Sequence, residues 1–131
     1  MTNSDAITAA FRRLPDLLER NASLIERGRF LSVDCLVGTA EVEFLFSVRA
    51  GRIADAQSPP VLMRPWRFAY RATPEAWSEF WQPYPKAGWH DLLALTKRRA
   101  ARLEGDIHPF MANLQYFKDL LALPRTLGGA A

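Results

Sequence analysis

The side chains in this sequence that could do covalent or metal chemistry are few, and their spacing keeps them apart. Two histidines, His90 and His108, and one cysteine, Cys35, are widely separated, whereas a metal site gathers three or four Cys, His or carboxylate ligands. His90-Asp91 has the composition of a catalytic pair, but adjacent residues on a helix do not face each other, and a surface capping role fits them better. His108 precedes Pro109 at a helix start, where a residue either helps end a turn or meets a ligand head group. Cys35 lies in the apolar run Val33-Asp34-Cys35-Leu36-Val37 and reads as a packed small residue, not a nucleophile. No P-loop, dinucleotide-binding glycine pattern or Gly-x-Ser-x-Gly elbow is present. The expectation is a protein that is not an enzyme and carries no metal or cofactor.

The basic run Lys97-Arg98-Arg99, with Arg102 nearby, could hold phosphate or touch an anionic membrane surface. It also begins an alternating strand, so a solvated sheet edge blunted by cations explains it as well. Nucleic acid is not implied, because the run lacks interleaved aromatic residues and seventeen Lys and Arg against fourteen Asp and Glu leave a net charge of only +3. The single cysteine excludes an internal disulfide. The start MTNSDAITAAFRR has no long apolar core, so neither a signal peptide nor a membrane anchor is read there, and the cytoplasm is the expected compartment. A length of 131 residues suggests one domain over 1–131, ordered over about 5–124, with Thr126 to Ala131 as a frayed tail.

The elements that must position these residues follow from periodicity. Ile7, Phe11, Leu14, Leu18 and Ile25 fall at helical spacing between Ser4 and Arg27, with Gly28 just past the end and Pro15 expected to kink or split the helix. Arg29 to Val37 and Ala40 to Arg49 read as strands joined around Gly38-Thr39, and Val42, Phe44, Phe46 and Val48 share one face of the second. After the turn Ala50-Gly51-Arg52 a short third strand runs from Ile53 to about Gln57. The proline-bearing stretch Ser58 to Pro65 reads as an irregular crossing segment. Trp66 to Arg71 alternates again, placing three aromatics on one side and two arginines on the other.

Thr73-Pro74-Glu75 combines a hydroxyl cap, a proline suited to the first turn and a favourable acid, and the helix it starts carries Trp77, Phe80 and Trp81. Pro83 ends it, and a second short helix is expected from Trp89 to Thr96. Ala101-Arg102-Leu103-Glu104 alternates as a half-exposed strand and turns at Gly105-Asp106. One closing helix of about four turns is expected between Pro109 and Pro124, its apolar face built from Phe110, Leu114, Phe117 and Leu121 and widened by Met111 and Leu120. Eight Phe, four Trp and three Tyr gather on these faces, and small domains with more aromatic surface than a tight core needs can keep an apolar cavity for a lipophilic ligand.

This order of elements resembles the sterol carrier protein 2 family. The resemblance rests on the meander with VEFLFSVRAGRI, the strand running into a Thr-Pro-Glu-Ala-Trp helix, the strand and turn ARLEGD, and the helix pattern HPFMANLQYFKDLLAL, over roughly residues 5 to 124. It implies an α+β fold: a twisted, mostly antiparallel five-stranded sheet with helices packed on one face, and between them a tunnel or cavity for sterols, fatty acyl chains or other lipids. Carried onto matching positions, the wall would comprise Phe44, Phe46, Phe68 and Tyr70 on the sheet and Trp77, Trp81, Phe110, Met111, Leu114 and Phe117 on the helices. The family pattern is interrupted by Ser58 to Pro65 and by WQPYPKAGWH, where Trp89 is large enough to plug such a cavity. Two functions are therefore expected in order: non-catalytic binding or carriage of a hydrophobic small molecule or lipid, and, as the alternative, an interaction or accessory module whose core is filled by its own side chains. Ligand identity and oligomeric state are left open.

Overall fold

Ile7, Phe11, Leu14 and Leu18 are all buried, and this stripe fixes how the first helix lies on the sheet. The structure is a computed structural model that describes residues 3–59, 61 and 64–125; the tail expected from Thr126 to Ala131 lies outside them. Helix α1 (Asn3–Glu19) runs through Pro15 without ending. The division expected at Pro15 falls instead at Arg20 and Asn21, because the Asn21 side chain accepts the Leu24 N–H at 3.1 Å and starts α2 (Ala22–Arg27) afresh. The missing proline donor is outweighed by the buried leucines on either side of it.

Five strands follow: β1 (Ser32–Gly38), β2 (Glu43–Arg49), β3 (Arg52–Gln57), β4 (Phe68–Ala72) and β5 (Ala101–Gly105). They form one sheet in the order β3-β2-β1-β4-β5, antiparallel except for the β1–β4 pair. The α+β architecture with helices on one face is thus as expected. Thr39 shapes the β1–β2 connection, its Oγ1 accepting the Glu41 and Val42 N–H groups at 3.1 and 2.9 Å. Gly38, at φ 153°, lets the chain pass so close to Val42 that an added Cβ would lie 2.0 Å from the Val42 carbonyl oxygen. At the β2–β3 hairpin Ala50 and Gly51 both have positive φ, 52° and 80°, the geometry of a two-residue turn that matches strand twist.

Alternation decides the two faces. Cys35 lies beside Phe46 and Phe68, and Val37 beside Phe44 and Tyr70, all turned toward the helices. On the opposite face Leu36, Leu45 and Ala69 form a small second core against Val61. Val61, between β3 and β4, therefore lies on the helix-free face. Trp66 leaves the alternation expected of it: it precedes β4, is 36% exposed, and its ring lies 5.8 Å from the Arg71 guanidinium. Cation–π contact with a charged side chain has won over burial with Phe68 and Tyr70.

The remaining helices are short: α3 (Pro74–Phe80), α4 (Leu92–Lys97), α5 (His108–Ala112) and α6 (Leu114–Leu121). Thr73 caps α3 by accepting the Ala76 N–H at 3.1 Å, as its sequence suggests. The helix expected from Trp89 begins only at Leu92. The single closing helix is two, because Asn113 turns its side-chain amide back to the Pro109 carbonyl at 2.9 Å and its backbone leaves helical geometry. None of the helices among the described residues is long and apolar enough to cross a membrane.

Two substitutions at these turns should move stability in opposite directions in urea unfolding. Ala50→Gly relieves a positive φ and is expected to add about 1 kcal/mol, whereas Gly38→Ala meets backbone at a positive φ and is expected to remove about 2 kcal/mol.

Candidate functional site

The layer between sheet and helices is made of aromatic rings in two groups. In the first, Phe11 of α1 touches Phe44, Phe46, Trp77 and Trp81 with ring centroids 5.1 to 6.4 Å apart. In the second, Phe68 meets Phe110 and Phe117 edge-on at 5.5 and 5.2 Å, and the latter two stack on each other at 5.5 Å. Tyr70 joins the groups, 5.8 Å from Trp77 and 5.9 Å from Phe110. Edge-on and offset contacts of this kind are each worth about 0.5–1.5 kcal/mol beyond their area.

Of the ten wall positions expected from the sequence, Phe44, Phe46, Phe68, Tyr70, Trp77, Trp81, Phe110 and Phe117 come together in this one core, and Leu114 packs on it half-buried. Met111 does not: it is 44% exposed, because Phe110 is the residue that α5 turns inward. Trp89 is half-buried at the margin, with the Arg98 guanidinium 4.5 Å over its ring. Phe11, Phe80 and Tyr116 belong to the layer and were not among the expected wall positions. Phe11 lies in the α1 stripe, but no local signal says which sheet rings a helix some thirty residues upstream will meet.

Polar groups inside this layer are all spoken for. The indoles of Trp77 and Trp81 donate to the Gly38 and Leu121 carbonyls at 2.9 and 2.7 Å. The hydroxyls of Tyr70 and Tyr116 donate to the Leu92 and Gly51 carbonyls, both at 2.7 Å. Among the described residues no buried side-chain nitrogen or oxygen lacks a partner. Burial, helped by the Asp91 charge, drives the Tyr70 hydroxyl well above its ordinary pKa. Burial likewise pushes the Cys35 thiol up to about 12, with the neighbouring Asp34 charge adding to it. An inert thiol and two neutral phenols offer no nucleophile.

The other candidates fall outside this layer. His90 and His108 are exposed. Asp91 stands at the α4 cap position without a capping bond and pairs instead with Lys118 at 2.8 Å. Asp106 accepts from Arg67 and from the His108 backbone, which together hold its carboxyl below the usual range. The basic run divides: Arg98 turns to the Gly88 carbonyl and Trp89, while Arg99 and Arg102 border a cleft at the end of the sheet. Among the described residues no group of three or more His, Cys, Asp or Glu could hold a metal ion.

Comparison with solved structures decides what kind of fold this is. A crystal structure of sterol carrier protein 2 superposes with a TM-score of 0.71 over 89% of this chain and 94% of its own, at 14% identity. The fold is sterol-carrier-protein-2-like. The UbiJ-SCP2 ubiquinone synthesis protein matches at a TM-score of 0.60, covering 96% of this chain and 97% of its own at 18% identity. The solution structure of a conserved hypothetical protein of Thermus thermophilus, itself a candidate sterol carrier, gives 0.61 over 87% and 85% at 12% identity. No family model matches the sequence, and no curated protein matches it either. The sterol-carrier fold is thus reached here with little sequence in common.

Because burial raises the folded thiol above the ordinary cysteine pKa of 9.0, the protonated form is what the fold stabilises. That contribution is complete below the unfolded pKa and declines as pH rises through 9.0 toward about 12. Alkylation of Cys35 should accordingly be undetectable in the folded protein at mildly alkaline pH and rapid after addition of guanidinium, with unfolding free energy falling over that same alkaline range. Tyr70→Phe leaves the Leu92 carbonyl without its donor and is expected to cost about 1–2 kcal/mol in the same assay.

Proposed function

We propose that this protein binds a lipid or another large hydrophobic molecule between its sheet and its helices, as a carrier and not a catalyst. The observation that carries the reading is the construction of one side of the aromatic layer: Phe68, Phe110 and Phe117 are closed over by two short helices that part at Asn113, neither with a side-chain cap. Phe110 is the only buried residue of α5, so one ring fastens that helix to the core. Turning it out exchanges protein contacts for ligand contacts. Exposing a buried Phe costs about 1.5–3 kcal/mol, whereas a ligand bringing about 400 Å² of apolar surface returns about 10 kcal/mol. A ligand of half that size would not recover the further cost of association, so the reading selects sterol-sized or long-chain molecules. Phe44, Phe46, Tyr70, Trp77, Trp81 and Leu114 would form the rest of the wall, and Met111 would mark the outer lip. Contact of Lys97, Arg98, Arg99 and Arg102 with an anionic membrane surface would suit delivery of such cargo.

A second reading is favoured by one feature. Ile107 and Met111 are 45% and 44% exposed and stand one helical turn apart, joined by the Met111 N–H to Ile107 carbonyl bond at 2.9 Å. With the ring layer self-filled, this face of α5 would serve an accessory module that docks on a protein. Native mass spectrometry of the purified protein, followed by organic extraction, separates the two. The carrier reading expects near-stoichiometric co-purifying lipid that Leu114→Trp loses while remaining folded. A clean apo mass with no uptake from a mixture of fatty acids, sterols and isoprenoids would overturn it and favour docking.

A further inference from the structure

At the end of the sheet, where Arg71, Arg102 and Glu104 turn to the helix-free face and Ala72 and Ala101 to the core, lies a cleft of about 520 Å³ lined by none of the stacked rings. It opens where β1 and β4 end and β5 begins. The small residues Ala40, Ala72, Ala100 and Ala101, with Pro74, give it apolar surface. Register sets the charges: Gly38 lies between Glu43 and Arg71, and Arg71 lies beside Arg102. Arg71 is engaged on both flanks, donating from Nε to Glu43 and from Nη1 to Glu104, each at 2.5 Å. Two carboxylates are thereby spent on one guanidinium that retains unused N–H groups. Arg102 is 78% exposed and only 3.9 Å from Glu104, a weak pair, and among the described residues Arg99 has no ion pair at all. Three arginines and three glutamates, the exposed Glu41 among them, line the cleft, so its formal charge is zero and Arg99 and Arg102 are its loosely paired cations.

Arg99 is the informative residue. The Ala100 N–H bonds the Leu95 carbonyl at 2.9 Å and the Arg99 N–H bonds the Thr96 carbonyl at 3.1 Å, the pair of bonds that ends a helix through a left-handed residue. That residue is ordinarily glycine, yet here it is arginine at φ 62°. A backbone position that would be more comfortable as glycine is held by a long cation bordering a cleft, and strain kept in this way points to use of the side chain.

We propose that this cleft binds a singly or doubly charged anion, a carboxylate or phosphate monoester on a short apolar body, between Arg99, Arg102 and the free edge of Arg71. The apolar body rests on the alanines and Pro74, and the volume falls in the range of small-ligand sites. The same head-group chemistry exists on a free solute and on an anionic lipid. The cleft shares Ala72 and Ala101 with the margin of the core but none of its rings, so the interior variant Leu114→Trp separates its occupancy from the carrier reading.

Isothermal titration with hexanoate, hexyl phosphate, hexanol and hexylamine tests this, using the wild type, Arg99→Gly, Arg102→Gln and, as an interior control, Leu114→Trp. Both anions should bind at one site in the wild type and in Leu114→Trp, and at least tenfold more weakly in either arginine variant. Arg99→Gly should at the same time raise Tm by about 3 °C, since glycine relieves the strained backbone, so lost binding cannot be laid to lost folding. No saturable binding of either anion overturns the proposal, as does hexylamine or hexanol binding as tightly, or anion binding within twofold of wild type in both arginine variants. Sedimentation with phosphatidylglycerol vesicles identifies the source. Vesicle binding that hexyl phosphate competes away and Arg99→Gly loses supports a lipid head group at this site, and titratable anion binding without vesicle binding supports a free solute.

Discussion

Trp77 is the side chain on which the two layers of this protein depend. Its indole is fully buried, and its N–H reaches the carbonyl of Gly38 at the end of β1. Around it lie Phe11 from α1, Tyr70 from β4, and Phe80 and Trp81 from its own helix. An indole donor can be buried only if an acceptor is waiting, and the acceptor here belongs to a glycine that a side chain at that position would displace. The helix cap at Thr73, the tight passage at Gly38 and the direction of β4 all have to be right before this bond can form. Replacing the bond by apolar contact would leave a buried carbonyl unpaired, so the constraint is one of geometry as much as of energy.

The same principle governs the interior as a whole. Tyr70, Trp81 and Tyr116 each pass one hydrogen bond to a backbone carbonyl on a different element, so the polar edges of the rings fasten the layer while their faces fill it. The side closed by α5 is built differently, with Phe110 as the one buried residue of that helix. There Phe68, Phe110 and Phe117 meet without a polar edge of their own, while Tyr116 and the Leu121 carbonyl fasten α6 to the rest.

Much of this was legible along the chain where a local rule was sufficient. ARLEGD reads as strand and turn, and Ala101–Gly105 is β5; Thr73-Pro74-Glu75 reads as a helix start and is one. Alternation in Phe44, Phe46 and Val48 identified the helix-facing side of β2. The failures come where a side chain had two ways to satisfy itself. Asn113 could continue a helix or bond back to Pro109, and the apolar stripe running through it gives no hint of the break. Trp66 could follow its strand inward or lie by a guanidinium five residues on. Met111 and Phe110 are neighbours with equal claims on the core, and the phase of a five-residue helix decides between them. Phe11 could be seen to face inward, but its four ring partners arise only once α1 is laid across the sheet. The cleft bordered by Arg99 was invisible for a related reason: its residues come from the β1–β2 connection, β2, β4, the start of α3, the residues after α4 and β5, and become neighbours only in the folded sheet.

The parallel seam between β1 and β4 carries a consequence in time. Cys35 pairs with Phe68 across more than thirty intervening residues, whereas β1, β2 and β3 are joined by short connections. Closing the longer loop must be paid in chain entropy before the seam returns any contact. The locally connected meander is therefore expected to pair ahead of the β1–β4 seam. The order in which the chain assembles is then set by one strand pair.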